Sequence, residues 1–388
     1  MFTLQEALEA VKDKPEFSVN TRDFGTVIDY NVAFKETFVG KTDRETSILK
    51  NLRGTCFGPD GSIVRLPYHK FHNLNENEEY HESKYDFADQ HVIHEKLDGS
   101  MIAPIKFPDG HWELGTRAGV TDVANKAAYF LSDLFEELDN AKYWAYFDFI
   151  TECVDSNITP IFEYCARDQR IVIDYIDSKL VLTGVRFNET GTYVQNLRSF
   201  LIQFGSSEDD FGLIDTVREV YTSRAKIAEF AKVVNDLQGE EGVVVKFVDG
   251  RYVKIKASDY VMKHRALDGL RFEKDVLRLV LENSIDDVLP LVTPEMKERL
   301  ESYRDSVLTN IKAKDSHIDY QYAVWEALAR GDRKHFASYV NGSKLAPFMF
   351  AKYSGKDGSV TSYLKKHLSS QTAIDEAREF IGKSWENF

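Results

Sequence analysis

The sequence is poor in cysteine and has no long hydrophobic run. Its three cysteines, Cys56, Cys153 and Cys165, lie far apart and form no Cys-x-x-Cys or Cys/His pair, so neither a disulfide framework nor a zinc site is indicated. No apolar stretch approaches the roughly 20 residues that cross a bilayer. The N-terminus opens into an acidic amphipathic helix rather than a signal peptide. These absences predict a cytoplasmic protein with no membrane association.

Positive net charge is also missing, since 49 Lys and Arg face 63 Asp and Glu, for a net charge of −14. This balance argues against nucleic-acid binding through overall charge. Charges from Arg265 onward cancel, so the acidic excess lies in residues 1–264. Within the C-terminal part, the segment 330–366 has only Asp332 and Asp357 as carboxylates and is rich in cations: Arg330, Arg333, Lys334, Lys344, Lys352, Lys356, Lys365 and Lys366.

At 388 residues with 43% hydrophobic content, the chain can bury a full core and is long enough for two domains. Thr3 and Glu6 form a capping-box pattern ahead of a first helix. Short β-rich runs broken by turn residues dominate up to Lys256, and from Asp259 the pattern is helical almost without strands. We therefore predict a boundary near Ser258, with domains 1–258 and 259–388, in a monomer.

Hydrophobic alternation and turn signals place the individual elements. Strands are predicted at 54–57, 62–67, 90–94, 101–107, 111–114, 160–164, 170–173, 180–186, 240–247 and 251–256. Helices are predicted at 121–138, 223–234, 276–281, 296–308, 322–329 and 373–381.

One short stretch, residues 94–101 with the sequence HEKLDGSM, carries a candidate nucleophile. Lys96 follows a predicted strand and Asp98-Gly99 is a turn signal, so the lysine lies where a strand enters a tight turn. Gly99 would let the backbone approach a phosphate closely. A lysine attacks only when neutral, and at its ordinary pKa of about 10.4 very few molecules qualify at pH 7, so burial and nearby cations must lower that pKa. Taken alone, K-x-D-G also fits a hairpin turn with a solvated lysine.

Other charged residues stand at strand ends. Arg53 and Lys70 bracket the hairpin at 54–67, and Arg117 leaves a strand beside a glycine. Glu163 lies between Phe162 and Tyr164, so it points to the opposite face of its strand from both. For the two cations at the hairpin, an ordinary solvated surface fits equally well.

Two further positions complete the series. Glu241-Gly242 opens one strand, and Lys254 and Lys256 leave the same face of the next. Two like charges at this spacing repel each other unless an anion lies between them, although cations that protect an edge strand fit the same pattern.

The order of lysine turn, arginine strand, glutamate strand, glutamate-glycine strand and paired-lysine strand resembles the covalent nucleotidyltransferases, which are ligases and capping enzymes. The chain is most similar to the phage-type ATP-dependent RNA ligases of the T-even tRNA-repair kind, over about residues 50–260. The strings that carry this resemblance, besides the lysine motif, are Arg53-Gly54, the segment 70–77, Phe162-Glu163, Arg170-Ile171-Val172 and Lys254-Ile255-Lys256. The resemblance implies an α+β fold: an ATP-grasp-like nucleotidyltransferase domain with two antiparallel sheets around a nucleotide cleft and flanking helices, followed by an all-α C-terminal domain.

The resemblance also implies roles for these residues. Lys96 would attack the α-phosphate of ATP, with Lys254 and Lys256 stabilising the developing charge and lowering the pKa of Lys96. Arg53 and Lys70 would bind pyrophosphate, and Arg117 would bind the nucleotide or an RNA phosphate. Glu163, Glu241 and Asp98 would bind Mg²⁺, for which Mn²⁺ could substitute. Gly99 and Gly242 would let the backbone approach the nucleotide closely. The expected partner is RNA with 5′-phosphate and 3′-hydroxyl ends, such as nicked tRNA.

Two departures from the family pattern bear on the choice of branch. Met101 replaces the arginine of many DNA ligases and capping enzymes, which favours the RNA branch. His72 stands where an aromatic residue is expected after Lys70-Phe71. A DNA ligase or a capping guanylyltransferase would use the same lysine but normally continues into a β-rich OB-fold, which the helical tail does not match. A non-catalytic RNA-binding scaffold would lack Lys96 or Glu241, and both are present.

The basic segment 330–366 is the candidate RNA-binding region. Its proposed phosphate contacts are Arg330, Arg333, Lys334, Lys352 and Lys365. Interleaved aromatic residues could stack on bases: Phe336, Tyr339, Phe348, Phe350, Tyr353 and Tyr363. A solvated helical face with core aromatics is an equally good interpretation.

Overall fold

The chain begins with the predicted capped helix. In the computed structural model, which describes residues 1–34, 36–204, 212–367 and 370–388, helix α1 spans Leu4–Val11. The Thr3 hydroxyl accepts a hydrogen bond from the Glu6 N–H, and the Glu6 carboxylate accepts one from the Thr3 N–H. Both bonds satisfy donors that a helix start leaves without a partner, so the capping-box prediction is confirmed.

The chain divides into two compact units, residues 1–261 and 262–388. The first unit is α+β, with eleven strands among the described residues. These are β1 (Phe17–Arg22), β2 (Gly25–Tyr30), β3 (Thr55–Phe57), β4 (Ile63–Arg65), β5 (His91–Glu95), β6 (Ser100–Lys106), β7 (Trp112–Gly115), β8 (Ile158–Cys165), β9 (Lys179–Phe187), β10 (Gly242–Phe247) and β11 (Tyr252–Lys256).

These strands form three antiparallel sheets rather than the two expected. Their orders are β1-β2-β3-β4, β11-β10-β5 and β7-β6-β8-β9. The additional sheet is built from the N-terminal strands, which pair with one another. Its apolar residues pack against α1 and form a separate core. The expectation of two sheets is therefore corrected to three.

Helices cover the apolar faces of the sheets. Those of the first unit are α1, α2 (Asp43–Asn51), α3 (Asp122–Asp133), α4 (Asn140–Asp155), α5 (Leu197–Phe204) and α6 (Ile227–Asn235). The largest core in this unit joins α3 and α4 to the β7-β6-β8-β9 sheet. A smaller core lies between α6 and the β11-β10-β5 sheet. Each sheet thus packs one face against helices, and the β1-β2-β3-β4 sheet also packs its other face, with Val27 and Cys56, against Ile105 of β6.

Several local assignments from the sequence differ from the structure: β10 begins at Gly242 rather than at Glu240, and helices α2 and α5 were not predicted. The predicted strand at 170–173 is a loop that follows a 3₁₀ turn (Arg167–Gln169). Its Val172 and Ile173 N–H groups donate to the Asp98 carboxylate instead of to a strand. Helix α4 was not predicted, because its aromatic residues blur the apolar periodicity.

The boundary between the units falls inside α7 (Ser258–Gly269), and the predicted boundary near Ser258 lies at the first residue of that helix. The second unit is helical throughout its described residues. After α7 it contains α8 (Glu273–Glu282), α9 (Pro294–Ala329), α10 (Arg333–Val340), α11 (Ala346–Tyr353), α12 (Val360–His367), α13 (Gln371–Glu376) and α14 (Arg378–Ile381).

Helix α9 joins two predicted helices, 296–308 and 322–329, into one helix of 36 residues. It begins at Thr293 and Pro294, which cap and start a helix, and ends at Arg330 in the left-handed conformation before Gly331. The polar stretch between the two predicted helices contains no glycine or proline, so nothing in it stops the helix. No helix that the structure describes is both long and apolar enough to span a membrane.

Candidate active site

The β11-β10-β5 sheet carries the lysines on one face. Directly opposite residues in antiparallel strands share a face, and Val244 on the central strand is opposite both His94 and Lys254. Lys256 is opposite Gly242, and the Lys96 N–H donates to the Gly242 carbonyl at 2.8 Å, which extends the β5 pairing by one residue. The other face, with Val245 and its neighbours, packs on α6.

Lys96 is bonded to a buried carboxylate. Its Nζ lies 2.7 Å from Glu241 Oε2, and Lys256 Nζ lies 2.9 Å from the other oxygen, Oε1. The Glu241 side chain is only 3% exposed. One carboxylate therefore joins two lysines from the outer strands of the same sheet, Lys96 just after β5 and Lys256 at the end of β11.

The pKa of Lys96 does not follow the sequence-based expectation. Burial alone would lower this pKa, but the negative charges of Glu241, Glu163 and Asp98 outweigh burial and raise it. The expected depression by Lys254 and Lys256 is therefore wrong for the protein alone, because Glu241 is bonded directly to Lys96.

The lowered pKa belongs to other lysines of the same sheet face. Burial, together with the charges of Lys96, Lys70, Lys256 and Arg53, lowers the pKa of Lys254 to about 7. Burial also lowers the pKa of Lys246 to about 7. The Lys246 Nζ donates to the Tyr68 hydroxyl at 2.9 Å and to the Thr183 carbonyl at 2.7 Å.

Glu163 faces Lys96 from a second sheet. It lies on β8 opposite Met101 of β6, while Phe162 and Tyr164 are buried in the core behind it, so the predicted orientation is confirmed. Burial raises the pKa of Glu163 to about 7 despite the charge of Lys96. Its carboxylate accepts no hydrogen bond from the residues that the structure describes, and it lines the same cavity as Lys96.

The cavity between these sheets has a volume of about 530 Å³. Its lining brings together the predicted residues Arg53, Lys70, Lys96, Gly99, Arg117, Glu163, Lys254 and Lys256. Glu241, Gly242 and Asp98 are not among its lining residues, although Glu241 contacts two lysines that are.

Three of these cations converge on Tyr30. The Arg117 guanidinium stacks 4.6 Å from the ring centroid, and Lys70 Nζ lies 5.5 Å from it. Burial raises the pKa of the Tyr30 hydroxyl, but the charges of Arg53, Lys70 and Arg117 outweigh burial and lower it. Asp29 is the carboxylate beside this group, with its Oδ2 atom 3.7 Å from Arg117 Nε.

Asp98 is not placed to bind a metal. Its Oδ2 atom accepts hydrogen bonds from the N–H groups of Val172 and Ile173 at 2.8 and 2.7 Å, and its Oδ1 atom accepts one from the Tyr260 hydroxyl at 2.7 Å. The residue is 3% exposed. Both oxygens are therefore used in fixing the lysine turn to neighbouring segments, and the metal assignment of Asp98 is corrected on this ground.

The two glycines are explained by protein contacts rather than by a nucleotide. A Cβ at Gly99 would lie 2.4 Å from the Tyr164 carbonyl oxygen. A Cβ at Gly242 would lie 2.1 Å from the Ile255 carbonyl oxygen, and the φ of Gly242 is +136°. His72 bonds to Glu76, with 2.6 Å between Nδ1 and Oε1, and is not a lining residue.

Sequence reasoning missed several residues that line the cavity, including Asp29, Tyr30, Tyr68, His94 and Lys246. For His94 and Lys246 a signal was available: they lie two residues from Lys96 and Val244, so strand alternation places them on the lysine face. Burial lowers the pKa of His94 to about 3, and its Nδ1 atom has no hydrogen-bond partner among the described residues. For Asp29 and Tyr30 the sequence offered no comparable signal.

The basic segment of the helical unit combines exposed cations with core aromatics. Arg330, Arg333, Lys334 and Lys365 are exposed, whereas Lys352 is half-buried and forms an ion pair with Asp319. Of the six aromatic residues, Phe336 and Phe348 are buried, Phe350, Tyr353 and Tyr363 are partly buried against the same core, and Tyr339 is exposed. The expectation of aromatic residues free to stack on bases is therefore corrected for all but Tyr339.

Comparison with known proteins identifies the family. The sequence profile of the RNA ligase family matches residues 51–266. A presumed RNA ligase of Thermovibrio ammonificans is 30% identical over 319 residues, which cover 80% of this chain and 77% of that protein.

Solved structures are more distant. An archaeal ATP-dependent RNA ligase has a TM-score of 0.44 and 17% identity, covering 68% of this chain and 64% of its own. A Naegleria gruberi RNA ligase with ATP and Mn has a TM-score of 0.40 and 13% identity, covering 51% of this chain and 58% of its own. The chain thus spans less than two thirds of these two solved proteins. The profile, which matches more than half of the chain, and the Thermovibrio relative show that this chain belongs to the RNA ligase family.

Proposed function

We propose that this RNA ligase uses ATP to join 5′-phosphate and 3′-hydroxyl RNA ends through a lysyl-AMP and then an RNA-adenylate intermediate. The proposal rests on one observation: the candidate nucleophile Lys96 lines a cavity together with five other basic residues, Arg53, Lys70, Arg117, Lys254 and Lys256. A nucleoside triphosphate is a polyanion, and five basic side chains around one amine suit a phosphate chain held for attack on its α-phosphorus.

In the first step, the neutral amine of Lys96 attacks the α-phosphorus and the bond to the β-phosphate oxygen breaks. Pyrophosphate leaves, and the amine gives up a proton as the phosphoramidate forms. Lys254 and Lys256 lie on the same sheet face as Lys96 and stabilise the charge that develops on the α-phosphate oxygens. Arg53 and Lys70 bind the departing pyrophosphate, and Arg117 binds the nucleotide or an RNA phosphate.

The carboxylates fit a hard divalent cation such as Mg²⁺ or Mn²⁺. Glu163 is a half-buried carboxylate with a raised pKa and no hydrogen-bond donor among the described residues. Glu241 is the second proposed ligand, but both of its oxygens are bonded to lysines in the protein alone, so it would bind the ion only after one of those lysines turns to the nucleotide. The described residues contain no group of three or more metal-ligating side chains, which suits an ion that completes its shell with phosphate and water. Bound there, the cation would supply positive charge that offsets the carboxylates now keeping Lys96 protonated.

The two parts of the chain divide the task in this proposal. Residues 1–258 form the adenylyltransferase domain, and residues 259–388 form a helical domain that selects the RNA. The proposed role is RNA repair, with nicked tRNA as the substrate class, by a monomer in the cytoplasm, which is the host cytoplasm if the gene is of bacteriophage origin.

The decisive test uses ATP labelled at the α-phosphate. The protein incubated with this ATP and Mg²⁺ should acquire an acid-labile, alkali-stable adduct on Lys96, and should then seal RNA with 5′-phosphate and 3′-hydroxyl ends. Absence of the adduct from correctly folded protein would refute the proposal. Adduct formation with GTP in preference to ATP would instead favour capping chemistry.

A pH dependence of nucleotide binding follows from the pKa of Lys254. Because that pKa is about 7 in the protein alone, the amine is mostly neutral at pH 8, whereas a bound polyphosphate favours its charged form. Binding at pH 8 should therefore take up a proton, and affinity should fall by up to about tenfold per unit as pH rises above 7. Calorimetry with α,β-methylene ATP in buffers of different ionisation enthalpy measures the uptake. Uptake that persists in Lys254→Met would place the titrating amine elsewhere, with Lys246 the next candidate.

Charge reversal in the basic segment should weaken RNA binding without affecting adenylylation. Arg333, Lys334 and Lys365 are all exposed, so their replacement by Glu changes surface charge without disturbing a core. Loss of three phosphate contacts should reduce the slope of log affinity against log salt concentration by roughly 2 to 3. The matched control reverses Lys297, Lys312 and Lys383, which are exposed in the same unit outside the segment.

Equal weakening of RNA binding in the two triple variants would show that only net charge matters and that the segment has no specific role. A fall in adenylylation as steep as the fall in RNA binding would instead make the helical domain a stabilising part of the catalytic unit.

A further inference from the structure

Arg65 is a buried cation that none of the proposed chemical steps uses. It lies on β4, is 0% exposed, and is the largest of the side chains that are almost completely buried. No carboxylate among the described residues lies within ion-pair distance of its guanidinium. Burial lowers its pKa, as expected for a charge without a direct counter-ion. Such a group is costly to bury unless its hydrogen bonds are satisfied.

Its hydrogen bonds go to the backbone of two cavity segments. Nε and Nη2 donate to the Gly54 carbonyl at 3.1 and 2.8 Å, and Nη1 donates to the Thr116 carbonyl at 2.9 Å. A longer contact of 3.5 Å joins Nη2 to the Arg117 carbonyl. Gly54 directly follows Arg53, so the fork of one guanidinium connects the backbones that carry Arg53 and Arg117.

Two glycines make this junction possible. A Cβ at Gly54, whose φ is +76°, would lie 2.7 Å from the Arg117 Cα atom. A Cβ at Gly115 would lie 2.7 Å from Arg65 Nη1. The two segments therefore touch backbone to backbone, and a larger residue at either position would push them apart or displace the guanidinium.

We infer that Arg65 is a positioning residue that fixes Arg53 and Arg117 relative to each other, so that both act on one phosphate group. The inference rests on the proposed function in one respect, namely that the anion is the pyrophosphate part of a nucleotide. Of the two partners proposed for Arg117, it takes the nucleotide rather than an RNA phosphate. The planar fork of arginine is needed because two carbonyls on different segments must be held at once, and the single ammonium of lysine cannot reproduce this geometry.

The test compares Arg65→Lys with Arg186→Lys. Arg186 is also almost completely buried and donates to two backbone carbonyls, those of Pro67 and Gly191, and to the Asn51 side chain, but to neither the Gly54 nor the Thr116 carbonyl. Thermal melting first establishes how much stability each variant loses. The probe is inorganic pyrophosphate, whose binding is measured by calorimetry and needs no adenylylation.

Arg65→Lys should weaken pyrophosphate binding by tenfold or more and raise KM for ATP in adenylylation by a similar factor, with a smaller change in kcat. Arg186→Lys should change either quantity by less than about threefold at a comparable loss of stability. In an Arg53→Ala or Arg117→Ala background, Arg65→Lys should add little, because the relative placement of two arginines no longer matters once one is absent.

Additive effects in these double variants, or equal effects of the two lysine substitutions, would mean that Arg65 only stabilises the fold. Wild-type protein that fails to bind pyrophosphate would also overturn the inference. Wild-type protein that binds pyrophosphate yet forms no adduct with ATP would overturn the proposed function. The effect of Arg65→Lys on pyrophosphate binding could still be compared with that of Arg186→Lys.

Discussion

Replacing Lys96 by alanine is expected to abolish transfer of AMP from ATP to the protein, below the detection limit of a radiolabel assay. Two lysines that line the cavity in the described structure contact Glu241, namely Lys96 and Lys256. Of these, only Lys96 lies in the K-x-D-G turn that follows β5. Lys96→Arg should fail as well, because a guanidinium is not deprotonated at working pH and cannot act as the nucleophile.

The same variant should still seal RNA that is already adenylylated, since those steps do not need the lysine nucleophile. Lys106→Ala is the matched control, because Lys106 is a lysine of the next strand whose Nζ pairs with Asp155 at 3.0 Å, away from the cavity lining. It should label like the wild type. ATP-dependent labelling of Lys96→Ala at another residue would refute the assignment of the nucleophile.

Glu241→Ala should reduce adenylylation on the order of a hundredfold or more, because Lys96 and Lys256 lose the shared carboxylate that holds both amines in place. We expect this loss of positioning to outweigh the larger neutral fraction of Lys96 that removal of Glu241 would give. Glu163→Ala should cause a loss of the same class if this carboxylate binds the divalent ion. Adduct formation measured over a range of Mg²⁺ concentrations distinguishes weak metal binding from loss of the lysine contact.

Glu240 provides a control at the adjacent position. Its carboxylate is 39% exposed and pairs with Arg218 at 3.1 Å, so Glu240→Ala should change adenylylation by less than about threefold. Both residues precede β10, which begins at Gly242, so the contrast arises from their partners: an exposed pair with Arg218 for Glu240 and a buried contact with Lys96 and Lys256 for Glu241. Losses of equal size at positions 240 and 241 would mean that the register of the motif is wrong.

Strand alternation explains which orientations of site residues could be predicted from the sequence. Lys254 and Lys256 share a face by local geometry alone, and the same argument correctly turned Glu163 away from Phe162 and Tyr164. These predictions need only a correct strand assignment, and the strands were strongly marked by β-branched residues and Asp-Gly turns.

The contacts that depend on chain-distant neighbours could not be predicted in this way. The pKa of Lys96 depends on a direct bond to Glu241, 145 positions away in sequence, which outweighs the cations that sequence reasoning favoured. Asp98 looked like a metal ligand because nothing in its own stretch shows that Val172, Ile173 and Tyr260 would use both of its oxygens.

Arg65 illustrates the same limit from the opposite side. In the sequence it is the one charged residue of the predicted strand 62–67, and a charged side chain is usually exposed. Its burial is possible only because the carbonyls of two segments converge on it. Helix α9 was predicted as two helices because the polar residues in its middle show no apolar periodicity. The absence of glycine and proline there was the better indication that the helix continues.

The distribution of pKa values among the cavity lysines bears on how such a nucleophile is found by chemical modification. Small acylating reagents select amines by the fraction that is neutral, and without nucleotide that fraction is larger for Lys246 and Lys254, with pKa values of about 7, than for Lys96, whose pKa is raised. Lys246 is buried and its amine is hydrogen-bonded, so a reactivity survey of the protein alone would rank the proposed catalytic amine below the more accessible Lys254. Substrate-dependent labelling is the assay that identifies it, because the amine becomes nucleophilic only when its counter-charge is taken up by other groups.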